Sequence, residues 1–188
     1  MTTVTSKVTI HMVSSLDGFI AKKDNSVSWF QTADNYEKGV NEEDAEEFLR
    51  TIDCFVMGSR TYELALTLGW PYGDVPTFVI THRNLPSYRE SVEFYMGDLN
   101  KLVNERLKPN YRNIWLVGGA ALTKDFIRLK LADDIRLSIL PVILGDGLQF
   151  LDHTGQELSL HLKDLTAYKS GMVELWYEIK KEQETGNQ

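Results

Sequence analysis

The sequence predicts a three-layer α/β/α domain built on a mostly parallel mixed sheet. Between residues 7 and 130, short apolar or β-branched runs alternate with stretches of helical periodicity. That alternation is typical of parallel strands with helices on both faces. From Asp133 onward only strand-like runs separated by turns remain, and these indicate an antiparallel end to the sheet.

The first half of the chain contains four predicted strands and two predicted helices. The strands cover residues 7–13, 54–58, 75–81 and 92–97, and the helices cover 41–52 and 59–69. We expect Asn41 to cap the first helix, whose early turns are acidic as the helix dipole favours. Ser59 is the expected cap of the second helix, and Gly69 its stop.

The second half contains two further helices and four further strands. We expect helices over 98–108, with Asp98 at its start and Pro109 after its end, and over 120–130. The strands are expected over 113–119, 133–144, 158–168 and 172–179. Pro141 inside one of them indicates an edge position or a bulge. A single domain over 1–180 and a frayed polar tail over 181–188 complete the prediction.

Composition excludes several classes of function. The net charge of −7 argues against a nucleic-acid partner. The sequence has no apolar run near the roughly 20 residues that span a bilayer and begins without a signal-peptide pattern, so we expect a cytoplasmic protein without a membrane partner. Cys54 is the single cysteine and is expected to be a buried, inert thiol. No Cys/His spacing predicts a metal site.

Three predicted strand ends carry residues that suit an anion. Gly58 is followed by Ser59, Arg60 and Thr61 at a helix start, and Thr81, His82 and Arg83 follow the next strand. Gly118 and Gly119 close a later strand directly before a helix, where free N–H groups attract phosphate. Taken singly, each glycine could be only a turn and each arginine only a solvated charge. Together they favour a dinucleotide with an extra phosphate, although G-x-G-x-x-G after the first strand and the P-loop motif are both missing.

Five motifs in the chain resemble those of the dihydrofolate reductase-like superfamily, in family order from about Val8 to Ile179. They are "SLDGFIA", "VMGSRTYE", "FVITHR", "WLVGGAALTKDFI" and "LPVILGDGLQFL". The last is similar to the branch of the riboflavin-biosynthesis reductase (RibD C-terminal) domain. The resemblance implies a mostly parallel eight-stranded sheet with a C-terminal antiparallel hairpin, and the strand count from the pattern agrees.

The resemblance also implies NADPH as the cofactor and assigns its binding residues. The cofactor phosphates would be held by Gly58, Ser59, Arg60 and Thr61. The adenosine ribose with its 2′-phosphate would be bound by Thr81, His82 and Arg83. The pyrophosphate and nicotinamide ribose would lie along Val117, Gly118, Gly119, Ala120 and Ala121. Ile20 and Ala21 would contact the nicotinamide. The paired glycines are typically joined by a cis peptide in this family.

The substrate side is less sharply indicated. Asp17 either caps its own turn or faces the substrate as a catalytic acid. Asp44, one turn before Phe48, is the best positional candidate for a second acid, with Glu47 next, although most of that acidic run is expected to be a solvated face. Phe48 is expected at the substrate, and Trp29, with Phe30, either walls the pocket or plugs the core.

The resulting hypothesis is a reductase that transfers hydride from NADPH to a pterin-like or ribosylamino-pyrimidine-like small molecule. Two alternatives stay open: a non-catalytic nucleotide-binding member of the family and a true dihydrofolate reductase. The resemblance also implies a homodimer that pairs through the late strands. The run "IRLSILPVIL" suits such an interface and equally an internal strand.

Overall fold

The structure is a computed structural model and describes residues 5–42 and 48–181. Ten strands lie in this part of the chain: β1 Lys7–Ser15, β2 Phe19–Ala21, β3 Cys54–Gly58, β4 Thr77–Ile80, β5 Val92–Tyr95, β6 Asn113–Gly118, β7 Asp134–Leu140, β8 Leu148–Gln149, β9 Leu160–Ala167 and β10 Val173–Ile179. The helices are α1 Ser59–Thr67, α2 over residues 99–110, and α3 Ala120–Arg128, with a 3-10 turn at Ser28–Phe30. In α2, a π-helical segment, Leu102–Leu107, lies between the α-helical turns Leu99–Lys101 and Lys108–Asn110.

Eight strands form one mixed sheet in the order β5-β4-β3-β6-β1-β7-β10-β9. The first six are mutually parallel, and β10 runs antiparallel to both β7 and β9. Strands β2 and β8 form a small antiparallel pair beside this sheet. The predicted fold class is therefore confirmed, including the antiparallel C-terminal hairpin.

Alternation along the central strand separates two faces of the sheet. Val8, Ile10 and Met12 of β1 are at most 6% exposed and join the apolar residues of α2 and α3 in the main core. The intervening residues of β1 point to the opposite face, where α1 and the loops pack over a second cluster that includes Met57 and Tyr62. Cys54 is fully buried, and burial raises the pKa of its thiol, as expected for an unreactive cysteine.

Three local predictions were wrong. Ser59 is the first residue of α1 and not its cap; Gly58 occupies the cap position, and no side chain caps the helix. Pro109 lies inside the last turn of α2, because the chain re-enters α-helix there and proline is tolerated at the first positions of a helix. Pro141 is neither in an edge strand nor at a bulge: it follows β7, a strand flanked by β1 and β10, and ends it because proline has no N–H to donate.

Other predicted boundaries agree with the structure. Asp98 caps α2 by accepting a hydrogen bond from the Lys101 amide at 2.9 Å. Gly69 follows α1 with a φ of +85°. Residues 43–47 of the predicted helix over 41–52 lie outside the described residues.

Candidate functional site

The three strand ends singled out in the sequence lie along one edge of the sheet. β4, β3 and β6 are neighbours and parallel, so their carboxyl ends meet. We call this edge the strand-end rim and define it as residues 58–61, 81–83 and 118–121. A Cβ placed on Gly58 would lie 3.8 Å from the Gly118 carbonyl oxygen and 3.9 Å from the Gly119 nitrogen. The backbones of β3 and β6 thus face each other with no side chain between them.

The two adjacent glycines meet different local requirements. Gly118 has a φ of +119°, and a Cβ there would lie 2.9 Å from the Met12 sulfur. Gly119 has a φ of −78° and would place its Cβ 3.7 Å from Thr61 Oγ1, an ordinary contact. The peptide bond between them is cis, as the resemblance implied. Only Gly118 is therefore required by the backbone itself.

Two helices begin at the strand-end rim. Gly58 is the N-cap of α1 and Gly119 the N-cap of α3, and neither helix has a side-chain cap. The first amides of a helix have no partner within the helix and carry the positive end of its dipole. The rim thus presents two groups of N–H donors suited to phosphate oxygens.

The third strand end adds a hydroxyl and two exposed basic side chains. Thr81 is 8% exposed, and its Oγ1 accepts a hydrogen bond from the Arg83 amide at 2.9 Å. His82 and Arg83 are exposed. The Arg83 guanidinium does not stand free, because it donates two hydrogen bonds to Glu63 of α1, at 2.8 and 2.7 Å. These bonds hold the pKa of Glu63 below its usual value, so the pair is ionised at neutral pH.

Asp17 holds two of the motif loops together. Its carboxylate accepts hydrogen bonds from Ser15 Oγ at 2.6 Å, from the Leu144 amide at 3.1 Å and from the Gly145 amide at 2.7 Å. The Ser15 bond, helped by the two amides, keeps the pKa of Asp17 below its ordinary value. The carboxylate thus stabilises its own turn and also the turn of the neighbouring loop at Leu144 and Gly145. Its catalytic role stays a prediction.

The remaining predicted substrate and nicotinamide residues are partly placed. Ala21 is 8% exposed and pairs with Leu148 in the small β2–β8 sheet. Trp29 is 8% exposed, and its indole N–H has no hydrogen-bond partner among the described residues. Phe48 is half-buried. Asp44 and Glu47 lie outside the described residues.

A buried polar cluster lies beneath Phe48 and was not identified from the sequence. It consists of His11, Arg136, Ser138 and Glu174 on β1, β7 and β10. Arg136 pairs with Glu174, and the guanidinium carbon of Arg136 lies 3.7 Å from the centre of the Phe48 ring. His11 Nε2 lies 3.3 Å from Ser138 Oγ, and burial lowers the pKa of His11 to about 3.

This cluster fixes the position of a predicted substrate residue. Phe48 packs on a cation that is itself held by a buried carboxylate, which favours one orientation of the ring. A signal was present in the sequence: the polar residues occupy alternate positions of apolar strands, which predicts a shared face. Periodicity does not say whether that face is covered, and the burial of the cluster is a property of the packed sheet.

Other chemistry is not indicated within the described ranges. Residues 5–42 and 48–181 contain no group of three His, Cys, Asp or Glu side chains that could hold a metal ion. The helices there are all too short or too polar to cross a membrane. One shallow surface pocket borders Ser159 and Lys180, and a second borders Thr77 and Phe78. Neither pocket includes a residue of the strand-end rim.

Comparison with known proteins agrees with this fold and motif set. The family model for the RibD C-terminal domain matches residues 70–174. The uncharacterized protein YwjB of Bacillus subtilis (strain 168) is 32% identical over 160 residues, covering 84% of this chain and 89% of its own.

Solved structures show the same fold. A Shewanella sp. PV-4 protein whose name links it to riboflavin biosynthesis superposes with a TM-score of 0.79 at 20% identity, over 93% of this chain and 99% of that one. RibD of Acinetobacter baumannii gives a TM-score of 0.66 at 14% identity, over 96% of this chain and 60% of that one. The sequence matches and the shared dihydrofolate reductase-like fold together show that this chain belongs to the RibD C-terminal domain family.

Proposed function

We propose that this protein is an NADPH-dependent reductase that transfers hydride to a pterin-like or ribosylamino-pyrimidine-like heterocycle. The observation that supports it best is the bare backbone contact between Gly58 and the Gly118–Gly119 pair at the start of two helices. NADPH supplies the hydride when bound, and the chain binds and orients both reactants and excludes water. We also propose that it works in the cytoplasm.

The residues at the strand-end rim fit a pyrophosphate. A side chain at Gly58 or Gly119 would reach the opposite strand end or Thr61 and would fill the space that a phosphate needs. The uncapped amides of α1 and α3 would donate to the phosphate oxygens. Ser59, Thr61, Ala120 and Ala121 would contribute their backbone at these helix starts, and Val117 would lie beside them at the end of β6.

The opposite end of the cofactor would lie at the β4 end. Arg83 and Arg60 would supply positive charge to a 2′-phosphate, and Thr81 and His82 would approach the ribose. This end includes two arginines and one carboxylate, Glu63. A local cationic site in a chain of net charge −7 favours a bound anion over a general basic surface.

The substrate would bind beside Ala21, between the Asp17 loop and Phe48. Asp17 is ionised at neutral pH because its pKa is lowered, which suits holding the loop better than giving a proton. Asp44, four positions before Phe48 in the sequence, is the alternative candidate for the proton donor, and water is the third. Trp29 offers an unpartnered indole N–H that would donate to a polar substrate.

Titration of the protein with NADPH and with NADH, followed by cofactor fluorescence, tests the binding step. Arg83→Ala is expected to weaken NADPH more than NADH. Arg106→Ala is the matched control, because Arg106 makes a similar two-bond pair with Glu93, at 2.8 and 2.9 Å, away from the strand-end rim. Equal losses for both cofactors in Arg83→Ala would refute the 2′-phosphate role.

Oxidation of NADPH in the presence of pterins and ribosylamino-pyrimidines tests turnover. Consumption with a compound of this panel supports the reductase. Binding without consumption would favour a non-catalytic member of the family, and turnover of dihydrofolate with inhibition by antifolates would favour a dihydrofolate reductase.

We also propose that the protein is a homodimer that pairs through its late strands. β7 itself lies between β1 and β10, but β9 is at the edge of the sheet. Leu160, Leu162 and Leu165 of β9 are 39%, 47% and 57% exposed. An apolar edge strand of this kind is a natural pairing surface.

A further inference from the structure

Glu63 accepts hydrogen bonds from the same guanidinium N–H groups of Arg83 that a phosphate would need. Both terminal nitrogens of the Arg83 guanidinium donate to the two Glu63 oxygens, at 2.8 and 2.7 Å. This is the fork arrangement by which arginine also binds phosphate. A carboxylate and a phosphate cannot use the same two N–H groups at once.

The Glu63 charge also acts on its surroundings at the strand-end rim. Arg60 lies close enough on α1 to help lower the pKa of Glu63. Without Glu63 the arginines would contribute two positive charges, and with it the local sum is one. A phosphate monoester carries nearly two negative charges at neutral pH, so a neighbouring carboxylate repels it.

We propose that Glu63 sets the cofactor preference of this site by competing with the 2′-phosphate of NADPH for Arg83. The inference rests on the proposed function, since it concerns the same rim. NADH has a 2′-hydroxyl at this position, and a carboxylate accepts a hydrogen bond from such a hydroxyl. Glu63 therefore lowers the preference for NADPH over NADH that the two arginines provide.

The exchange of partners is physically accessible. The side chains of Arg83 and Glu63 are 54% and 44% exposed, and exposed ion pairs contribute little to stability. An incoming phosphate would thus break a weak pair and form a stronger one, with the Arg83 backbone held in place by its bond to Thr81. The released Glu63 would turn to solvent.

The test compares dissociation constants of NADPH and NADH for the wild-type chain, Glu63→Gln and Glu63→Lys. Coulomb's law for a charge removed about 6 Å from a phosphate, with solvent screening, predicts about three- to tenfold tighter NADPH binding for Glu63→Gln. Glu63→Lys should gain at least as much, and NADH should bind with unchanged or lower affinity to both. The gain should shrink at high salt.

Glu93→Gln is the matched control, because Glu93 makes the equivalent exposed pair with Arg106 on β5 and α2. It should leave the ratio of the two affinities unchanged. Circular dichroism and thermal unfolding establish that each variant is folded. Glu63→Lys gives a second, independent measurement at position 63.

Two results would overturn the inference while leaving the proposed function intact. In one, NADPH binds and its preference over NADH changes less than twofold in both Glu63 variants. In the other, both variants bind NADPH more weakly than the wild type, which would make Glu63 a residue that orients Arg83 for the phosphate. Failure of the wild-type chain to bind either cofactor would instead overturn the proposed function, and this inference with it.

Discussion

The two adjacent glycines should respond very differently to substitution by alanine. Gly118→Ala puts a Cβ on a backbone with φ +119°, 2.9 Å from the Met12 sulfur. Gly119→Ala puts one on a backbone with φ −78°, 3.7 Å from Thr61 Oγ1. The first change violates a folding requirement, and the second only fills space at the strand-end rim.

The magnitudes follow from these contacts. A non-glycine residue in such a conformation costs about 1–3 kcal/mol. The Met12 sulfur belongs to a flexible side chain, but Met12 is only 6% exposed, so its displacement adds up to about 1 kcal/mol. We therefore expect Gly118→Ala to lower the free energy of unfolding by about 1–4 kcal/mol. Gly119→Ala should lower it by less than about 1 kcal/mol, the cost of a poorer helix cap.

Urea unfolding of the wild-type chain and both variants measures these free energies. Gly119→Ala should remain stable while losing affinity for NADPH, because its methyl group lies beside Thr61 Oγ1 in the space of the strand-end rim that a phosphate needs. Equal destabilisation by the two substitutions would refute the assignment of separate roles. So would a stable Gly118→Ala.

Three further predictions concern the loop, the edge strand and the buried cluster. Asp17→Asn should lower Tm at pH 7. The folded-state pKa of Asp17 lies below its usual 3.8. The stability that the Asp17 carboxylate contributes is therefore present above pH 3.8 and is lost as pH falls through the folded-state pKa. A Tm difference between wild type and Asp17→Asn that persists to the lowest pH would contradict this. Leu165→Asp should halve the molar mass of the protein measured by light scattering. Leu68→Asp, at a residue that is 60% exposed and lies outside β9, should leave that mass unchanged. A wild-type protein with the mass of a monomer would exclude the dimer. Arg136→Met should lower the free energy of unfolding in urea by about 3–5 kcal/mol, because the buried Glu174 carboxylate loses its arginine partner. Adding Glu174→Leu should recover most of this loss; no recovery would argue against a charge effect.

Most of the fold could be predicted because its signals are local. Apolar runs, helical periodicity and turn residues place the strands and helices, since each reports on a few neighbouring residues. The local errors arose at Ser59, Pro109 and Pro141, where a boundary depends on how the next element begins. The motif residues of the strand-end rim were also found, because glycine and cations at strand ends are visible one position at a time.

The partners of those residues could not be predicted from local pattern. Glu63 lies 20 positions from Arg83, and Asp17 lies 128 positions from Gly145. The motif around Asp17 marked it as a candidate, but no local pattern gives the partner of either acid in a chain with 27 acidic residues. Their roles became visible only when the strand ends and loops were brought together.

The sequence by itself determined which residues form the strands of the eight-stranded sheet and where an anion would find free amides, because these depend on sterics and hydrogen bonding within a few residues. Only the tertiary structure decided what each charge faces. The order β6-β1-β7-β10 buries His11, Arg136 and Glu174 together under Phe48, and the crossover from β3 to β4 sets Glu63 against Arg83. Such pairings arise from strand order and packing, which place distant parts of the chain in contact and which no local pattern encodes.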